Sequence, residues 1–335
     1  MNVQQVLFHN TRDVELVGAE LPDGPLAPNQ ILLATEYSVV SAGTELAIWR
    51  GVESWAKLPY VPGYGAVGVV QNVGSAVTRC AKGDRIFCYA GHRSFALIDD
   101  SMVVRVPDEV PAHQAVVARM GQVALTSVRV SDVELGDTVV VMGLGLVGNL
   151  AAQLMKLSGC TVIGVDISEK RLATAKACGI EHVINSRDTN LVEAVRAING
   201  GKLCNAVVEA TGIPDSVANA VRLVENGDVI LLGTPRGAFG ADATEMLREV
   251  HHAHRGVRLK GAHEWVVPKY PQQYLKHSLA GNIAQLFGFM KSGKLDIAHL
   301  LTHRVPPTEC KTVYNNLRDR NEDYFGVVFD WRAMM

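Results

Sequence analysis

The sequence predicts an α/β protein with two parts, a β-rich domain and a doubly wound parallel sheet. Three observations support this prediction. Up to about residue 120, short apolar runs are separated by Gly, Pro and Asp, a pattern typical of a compact β domain. From residue 138 onward, apolar strands alternate with helical patterns, as a parallel sheet with crossover helices requires. With 335 residues, the chain is long enough for two domains of ordinary size.

The β-rich part is defined by apolar runs of strand length. The predicted strands are 30–34, 65–72, 84–89, 94–98 and 102–106. The proline-marked segment 106–109 closes this series, and residues 111–130 then have helical periodicity. From residue 268 the pattern is mixed again, with a helix over 278–292 and a closing strand at 326–329. We therefore predict one discontinuous domain made of residues 1–120 and 268–335.

Residues 121–267 form the second predicted domain, because strands and helices alternate throughout most of it. The predicted strands are 138–142, 161–165, 182–184, 206–209, 228–232 and 258–262. The predicted helices are 146–158, 168–178, 188–199 and 214–225. Ser168 stands at the start of the second of these helices and is its candidate N-cap.

A glycine-rich loop lies between the first strand and the first helix of this domain. Its sequence, GLGLVG, contains Gly143, Gly145 and Gly148. The first glycine permits a tight turn, the second lets the backbone approach a pyrophosphate, and the third lets helix and strand pack closely. Leu146 and Val147 open the helix, whose free N–H groups and positive end bind phosphates. The loop therefore predicts a Rossmann-type dinucleotide-binding domain.

The choice of cofactor depends on Asp166, which follows the second strand about 20 residues after the loop. A carboxylate there accepts hydrogen bonds from ribose hydroxyls and repels a 2′-phosphate, so we expect NAD, with NADP as the less favoured alternative. Arg171 begins the next helix and is expected to flank the adenine pocket. Thr211, Gly212 and Gly233 follow the fourth and fifth strands and are expected on the nicotinamide side.

Charge and composition exclude several classes of function. Lys plus Arg total 32 and Asp plus Glu total 34, so we expect no general attraction to nucleic acid or to an anionic membrane. No apolar run reaches the roughly 18 residues of a membrane span, and the N-terminus lacks the order of a signal peptide. The six cysteines form no C-x-x-C pair, which indicates reduced, mostly buried thiols. We expect a cytoplasmic enzyme with a small-molecule substrate.

Several segments, in order along the chain, resemble the medium-chain dehydrogenase/reductase superfamily, the alcohol-dehydrogenase-like enzymes. The first is AGTELAIWRG at 42–51, which is similar to the family segment C-G-(S/T)-D-L-H-x-x-x-G. The second is LPYVPGYGAVGVVQNVG at 58–74, which is similar to P-x-x-x-G-H-E-x-x-G-x-V. The GLGLVG loop, VVEATG at 207–212 and LLGTPRG at 231–237 continue this order. The resemblance implies a GroES-like catalytic domain beside the Rossmann domain, and at least a homodimer, formed through the strand around 258–262 or its neighbour.

The departures from that family concern its zinc ligands. The chain has Ala42 where zinc-dependent members have a cysteine, and Tyr64 and Gly65 where they have histidine and glutamate. The third ligand position falls on Arg119, and the cysteine-rich lobe that holds structural zinc is absent between Cys80 and residue 106. Alanine cannot coordinate a metal and arginine repels one. The resemblance therefore implies an enzyme without zinc at either family site.

Without a metal, side chains must manage the charge on the substrate oxygen during hydride transfer. Tyr64, at the histidine position, is our first candidate for proton donor or acceptor, and a cation at Arg119 is expected to lower its pKa. Thr44 matches the hydroxyl that relays protons in the zinc enzymes, and Glu45 matches the acid that follows it. Each has a second interpretation. Tyr64 packs beside a turn, Arg119 pairs with a carboxylate or binds an acidic substrate group, and Thr44 and Glu45 serve only the helix start.

The histidines of EVHHAHRGVRLKGAHEW are a further candidate group. His251 and His254 share a face if the helix continues, whereas His252 points elsewhere, and no cysteine or acid completes a ligand spacing. We therefore expect a surface helix end and no metal site. His263, at the end of a strand, is a candidate for lining the substrate cleft.

Three functional hypotheses follow. The first is a zinc-independent, NAD-dependent oxidoreductase that interconverts a secondary alcohol and a ketone, with a sugar-like, polyol or cyclic substrate. The segments S-A-G-T-E and P-G-Y are similar to a metal-less branch that includes the bacteriochlorophyllide dehydrogenases. The alternative is reduction of an activated C=C bond, as in quinone and enoyl reductases, which usually use NADPH. The third is a dinucleotide-sensing protein without catalysis.

Overall fold

The computed structural model describes residues 1–187 and 189–334, and it divides into two compact units. Unit 1 contains Met1–Arg119, Val267–Gly293 and the residues from Leu300 onward. Unit 2 contains Met120–Val266 and Lys294–His299. Among the described residues, no helix has both the length and the apolar character needed to cross a membrane.

The strands and helices are numbered in chain order. The strands are β1 (Asn2–Asn10), β2 (Asp13–Glu20), β3 (Gln30–Val39), β4 (Ala66–Val73), β5 (Arg85–Cys88), β6 (Phe95–Asp99), β7 (Val103–Arg105), β8 (Thr138–Met142), β9 (Thr161–Asp166), β10 (His182–Asn185), β11 (Cys204–Glu209), β12 (Val224–Leu231), β13 (Arg258–Gly261), β14 (His303–Val305) and β15 (Val327–Asp330). The helices are α1 (Ala42–Trp49), α2 (Ala112–Ala115), α3 (Ala118–Val130), α4 (Leu146–Leu157), α5 (Glu169–Ala177), α6 (Leu191–Ile198), α7 (Pro214–Leu223), α8 (Ala243–His251), α9 (Leu279–Lys291) and α10 (Cys310–Arg318).

Unit 1 is built on a sheet in the order β14-β15-β3-β4-β5-β7, with β6 paired to β3 and a separate β1-β2 hairpin. The strand β3 is buried along most of its length because it pairs with β4, β6 and β15. A cluster of large aromatic side chains fills the core beneath helix α1. Its members are Phe8, Trp49, Tyr314, Phe329 and Trp331, all almost fully buried. This core fixes α1 and α10, which carry several candidate site residues.

Unit 2 contains a six-stranded sheet in the order β10-β9-β8-β11-β12-β13, in which every pair is parallel. This is the doubly wound order, in which the chain starts in the middle and builds outward in both directions. The central strand β8 is buried at every residue, as expected of a strand covered on both faces. The predicted N-cap is also confirmed, because the Ser168 hydroxyl accepts from the Arg171 N–H at the start of α5.

The structure corrects several predicted boundaries. Helix 111–130 is interrupted between α2 and α3, where the N–H of Val117 and the N–H of Arg119 bond three residues back and tighten the turn. The helix predicted over 214–225 ends at Leu223, because Val224 already pairs with Cys204 in the sheet. Helix α6 begins at Leu191 after the Asn190 cap, and the predicted start at 188 lies outside the described residues.

The sequence pattern also missed elements entirely. The β1-β2 hairpin and the short strand β14 were not predicted, and of helix α8 only the end near His251 was expected. The last strand of the parallel sheet, β13, is largely exposed and not apolar as expected. It is held by charge instead, since Arg258 and Lys260 both contact the buried Asp228 carboxylate of β12 at 2.8 and 3.0 Å.

Candidate functional site

The glycine-rich loop of unit 2 has the geometry that a dinucleotide requires. Gly143 has a left-handed backbone with φ 86°, and a Cβ there would lie 2.8 Å from the Thr211 methyl group. A Cβ at Gly148 would lie 1.8 Å from the carbonyl oxygen of Gly143, so the helix packs directly on the turn. A Cβ at Gly145 would meet no atom within 4 Å. The open space at Gly145 is therefore room for a ligand and not for packing.

Helix α4 begins immediately after this open space. Gly145 is its N-cap residue, and Leu146 and Val147 form its first turn. The first N–H groups of an α-helix have no acceptor within the helix, and its N-terminus carries a partial positive charge. These donors fit the phosphate oxygens of a dinucleotide.

Asp166 lies at the end of β9, where the sequence placed the ribose-binding acid. Its side chain is 3% exposed and accepts the N–H groups of Leu144, Ile167 and Ser168 at 2.7, 2.8 and 3.0 Å. A carboxylate has about four lone-pair positions, so one remains for a further donor. Arg171 lies 3.7 Å from the same carboxylate. The three backbone bonds hold the carboxylate in one orientation at the carboxyl edge of the sheet.

A residue that the sequence analysis missed holds the loop after β11, and this loop contacts the loop after β12. Glu209 is fully buried and accepts from the hydroxyl of Thr211, from the Thr211 N–H at 2.8 Å and from the Gly212 N–H at 3.2 Å. Burial raises the pKa of Glu209, and these hydrogen bonds oppose the shift. A Cβ at Gly233 would lie 2.4 Å from the Gly212 nitrogen. The sequence signal that could have identified Glu209 is an acid at the end of an apolar strand, in the segment VVEATG.

The candidate catalytic residues of unit 1 gather around the start of helix α1. The hydroxyl of Tyr64 bonds to the hydroxyl of Ser41, a residue that the sequence analysis did not select. Thr44 also acts on Tyr64 and lowers its pKa. Ser41 is the N-cap residue of α1, but its side chain makes no capping bond because it is directed to Tyr64. Neither hydroxyl acts as a simple helix cap.

Glu45 is a buried connector and not an exposed charge at a helix start. Its carboxylate accepts the N–H of Ser41 at 2.9 Å and the hydroxyl of Tyr314 at 2.6 Å, and it lies 3.3 Å from Nε2 of His92. Glu45 and His92 are both 0% exposed. Burial, followed by the Glu45 charge, raises the pKa of Tyr314 well above its ordinary value, so this phenol stays protonated and donates. Glu45 thus holds the backbone of Ser41 in place through the hydrogen bond from the Ser41 N–H.

The second ring nitrogen of His92 continues this network. Its Nδ1 lies 2.7 Å from the Ser38 hydroxyl, which also accepts the Trp331 indole N–H at 2.8 Å. The network ties α1 to β3 and to the C-terminal segment through buried hydrogen bonds. Such fully paired polar groups specify one arrangement of the side chains that they connect.

Arg119 lies against Tyr64, as the sequence analysis required. Its guanidinium carbon is 4.4 Å from the ring centroid of Tyr64 and 4.5 Å from that of Tyr89, and its Nε donates to the carbonyl oxygen of Tyr64 at 3.2 Å. The residue is only 3% exposed. Gly65 leaves the space for its aliphatic stem, since a Cβ there would lie 2.5 Å from Cγ of Arg119.

The ionisation of Tyr64 corrects one expectation. Burial raises the pKa of Tyr64 above its ordinary value of 10.0, whereas Arg119 and the Ser41 hydrogen bond oppose that rise. The nearby Glu45 charge adds to it. Arg119 therefore limits the shift but does not bring Tyr64 below its ordinary value. At neutral pH the phenol is protonated and suited to giving a proton.

Potential metal ligands are distributed differently from those of the zinc-dependent relatives. The positions of the family ligands hold Ala42, Tyr64, Gly65 and Arg119, which include no thiol, imidazole or carboxylate. Within the described residues, one group of three suitable side chains approaches to within 4.8 Å, formed by His9, Asp13 and Glu15 on the β1-β2 hairpin. The ammonium of Lys311 lies 3.3 Å from the Asp13 carboxylate.

The histidine-rich segment is a helix end. Helix α8 ends at His251, so His252 and His254 follow it in non-helical backbone and do not share a helical face with His251. Neighbouring rings lie 6.1 and 5.3 Å apart, and His251, His252 and His254 are exposed. His263 is also exposed, after strand β13.

Two family models match this chain. Residues 27–108 match the alcohol dehydrogenase GroES-like domain, and residues 147–267 match the family described as zinc-binding dehydrogenase. The chain belongs to the medium-chain dehydrogenase/reductase superfamily. It is therefore a nicotinamide-dependent oxidoreductase, with the predicted Rossmann and GroES-like folds.

Similar proteins include an L-threonine 3-dehydrogenase of Rhizobium rhizogenes, which is 25% identical over 98% of this chain and 99% of its own. Among solved structures, galactitol-1-phosphate dehydrogenase from Escherichia coli has a TM-score of 0.83 at 17% identity, covering 98% of this chain and 99% of its own. A quinone oxidoreductase of Pseudomonas syringae has a TM-score of 0.80 at 20% identity, with the same coverage. A Sinorhizobium meliloti protein bound to NADP has a TM-score of 0.79 at 17% identity, again over 98% and 99%.

Proposed function

We propose that the protein interconverts a secondary alcohol and a ketone without zinc, with Tyr64 as the proton donor to the carbonyl oxygen. The observation that carries this proposal is the contact between Tyr64 and Arg119, which occupy two of the positions where zinc-dependent relatives bind their metal, together with the bond from Tyr64 to Ser41. A buried cation next to a phenol supplies positive charge where an oxygen gains negative charge during reduction. The sugar-like, polyol or cyclic character of the substrate is part of this proposal.

In the reductive direction, the nicotinamide supplies a hydride to the carbonyl carbon when the cofactor is bound. Tyr64 gives its proton to the carbonyl oxygen, and Ser41 and Thr44 bond to the phenolate oxygen that remains. The guanidinium of Arg119 stabilises the same negative charge. Solvent then returns the proton, so the balance is one hydride and one proton for each alcohol formed.

The raised pKa of Tyr64 sets the pH dependence of this mechanism. Ketone reduction requires the neutral phenol. Because burial raises the pKa of Tyr64 above 10.0, the phenol is neutral at and around neutral pH. Alcohol oxidation requires the phenolate, so its rate should rise steadily with alkalinity. Initial rates in both directions between pH 6 and about 10 test whether oxidation speeds up, and reduction does not, as the pH rises.

We propose NAD as the preferred cofactor, because Asp166 lies where the ribose is expected and a 2′-phosphate would face a carboxylate. Arg171 beside it makes NADP the alternative. Binding titrations with NADH and NADPH decide between them, and tighter binding of NADPH contradicts this part of the proposal.

The central experiment combines metal analysis with one substitution. The purified enzyme should turn over a hydroxy-ketone or cyclitol with NADH after exhaustive chelation, and Tyr64→Phe should lower kcat by about 10²- to 10⁴-fold. Unchanged turnover in Tyr64→Phe, or a tightly held transition metal required for activity, would falsify the mechanism. Thr44→Val and Ser41→Ala serve as comparisons that leave the ring in place.

Reduction of an activated C=C bond is the alternative function, and the likeness in fold to a quinone oxidoreductase keeps it open. Strong activity with NADPH and an enone, together with none with NADH and alcohols, favours it. A dinucleotide-binding protein without catalysis is indicated if binding occurs with no turnover of either substrate class.

We also propose a cytoplasmic homodimer that does not bind nucleic acid or membrane. Strand β13 lies at the end of the described sheet and pairs there with β12, so its second edge is available to another chain. Light scattering after gel filtration tests the oligomeric state. A proline in place of Leu259, which is 39% exposed, should then give monomers.

A further inference from the structure

We infer that Tyr89 and Gly65 are positioning residues that together hold the Arg119 guanidinium against Tyr64. This inference rests on the proposed function of Tyr64 and extends it to two residues that act through Arg119. It concerns how a cation is kept at the catalytic oxygen without a metal.

Tyr89 provides the second aromatic surface for the guanidinium. The guanidinium carbon lies over both rings at nearly equal distances, 4.4 Å for Tyr64 and 4.5 Å for Tyr89. Both distances are within the roughly 6 Å range of a cation–π interaction, which strengthens when the cation is removed from water. Tyr89 is itself fixed by an edge contact with Phe87, whose ring centroid is 5.9 Å away. The position of the guanidinium therefore depends on Tyr89 as well as on Tyr64.

Gly65 provides the room for the arginine stem. A Cβ at this position would lie 2.5 Å from Cγ and 2.7 Å from Cβ of Arg119, well inside any tolerated carbon–carbon contact. Gly65 is not among the glycines with left-handed backbone, so space and not backbone conformation explains it. The contacted atoms, Cβ and Cγ of Arg119, lie nearest the main chain and therefore have the least freedom to move away.

Two charged side chains act on the pKa of Tyr64. Arg119, on α3, lowers it, and Glu45, on α1, raises it. Tyr64 in turn raises the pKa of Tyr60, on the same loop. Burial raises the pKa of Tyr64 and Arg119 is the largest opposing cause. Displacing Arg119 therefore moves the ionisation of Tyr64 to higher pH while Glu45 and burial stay as they are.

The test follows the Tyr64 phenol directly by 13Cζ-tyrosine NMR in the whole protein without substrate, and the signal is assigned by its loss in Tyr64→Phe. Tyr89→Leu and Gly65→Ala should each move the Tyr64 titration upward by about half a pH unit or more. Tyr89→Phe keeps the ring and should restore the wild-type titration. Gly288→Ala is the matched control, because a Cβ there meets no atom within 4 Å.

The inference is overturned if folded Tyr89→Leu and Gly65→Ala both titrate as the wild type does. It is also overturned if Tyr89→Phe behaves like Tyr89→Leu, because the ring face is then not the cause. If one of the two variants fails to fold, the other decides. Failure of the proposed function gives a different result, since Tyr64→Phe then retains turnover whatever the NMR titration shows.

Discussion

The two glycines that flank the start of helix α4 should separate cofactor binding from folding. In Gly145→Ala the new methyl group meets no protein atom within 4 Å, and the backbone at φ −59° and ψ 178° is allowed for alanine. In Gly148→Ala it would lie 1.8 Å from the Gly143 carbonyl oxygen and 3.2 Å from Cβ of Ala210. The first variant adds bulk only where a pyrophosphate is expected. The second forces the helix away from the turn.

The two variants should change different quantities: Gly145→Ala the affinity for NADH, and Gly148→Ala the free energy of unfolding. Alanine is a poorer N-cap than glycine, so Gly145→Ala should cost about 1 kcal/mol of unfolding free energy or less. Losing one hydrogen bond to a charged phosphate costs about 1.5–3 kcal/mol, which weakens NADH binding roughly ten- to 150-fold. Gly148→Ala should lower the unfolding free energy by about 1–3 kcal/mol or more, as overpacking against backbone does.

Urea unfolding without cofactor and fluorescence titration with NADH measure the two effects separately. We expect Gly145→Ala to unfold close to the wild type and to bind NADH weakly. If it binds NADH with wild-type affinity, the open space at Gly145 is not the pyrophosphate site. If it loses as much stability as Gly148→Ala, the steric argument itself is wrong.

Three further substitutions test other parts of the structure. Asp228 is buried, which acts to raise its pKa, but the Asp132 N–H, Lys260 and Arg258 outweigh burial and hold the pKa below 3.8. Asp228→Asn should therefore cost about 1–3 kcal/mol of unfolding free energy at pH 7, and the difference from wild type should begin to shrink below roughly pH 4, as the carboxylate of the wild type is protonated. Tyr314→Phe removes the 2.6 Å bond to buried Glu45 and should cost about 1–3 kcal/mol, measured by urea unfolding. Glu209→Gln leaves one acceptor oxygen in place of two for the Thr211–Gly212 loop, and should weaken NADH binding about tenfold in a fluorescence titration.

The first of these substitutions has a matched comparison. Asp319→Asn removes an exposed carboxylate paired with Arg318 and should leave the stability at pH 7 unchanged, because exposed ion pairs contribute little. A stability difference for Asp228→Asn that does not shrink at all as the pH falls below about 4 contradicts the assigned charge pairing. Equal stability of Tyr314→Phe and wild type means that its hydroxyl bond contributes nothing. Unchanged NADH affinity in Glu209→Gln removes that residue from the cofactor loop.

The cofactor domain was largely predictable from the sequence because its determinants are local. Gly143, Gly145 and Gly148 lie on one short loop, and the strand that ends at Asp166 follows directly. Alternating strands and helices leave few topologies, so the doubly wound sheet order followed from chain order. The boundaries that failed, such as the end of α7 at Leu223, depend on pairing with a distant strand.

The network of candidate catalytic residues was only partly predictable because its contacts join distant segments. Tyr64, Thr44, Glu45 and Arg119 were found by comparison with family motifs. Their partners come from elsewhere: Tyr314 bonds to Glu45 across 269 positions of the chain, and His92 approaches it across 47. The periodicity of the sequence does not indicate such distant pairs. Burial, the largest cause of the raised Tyr64 pKa, is known only once the chain has folded.

The steric relation between Gly65 and Arg119 limits how this site could be redesigned or could have evolved. Installing cysteine at Ala42 and histidine at Tyr64 would create two potential donors, yet a carboxylate at position 65 would collide with the arginine stem at 2.5 Å. The guanidinium would also repel an incoming divalent ion. Arg119 must be replaced first, and that intermediate has neither a buried cation nor a metal. Under the proposed mechanism, a mutational route to a zinc site therefore has to remove Arg119 before a side chain can occupy position 65.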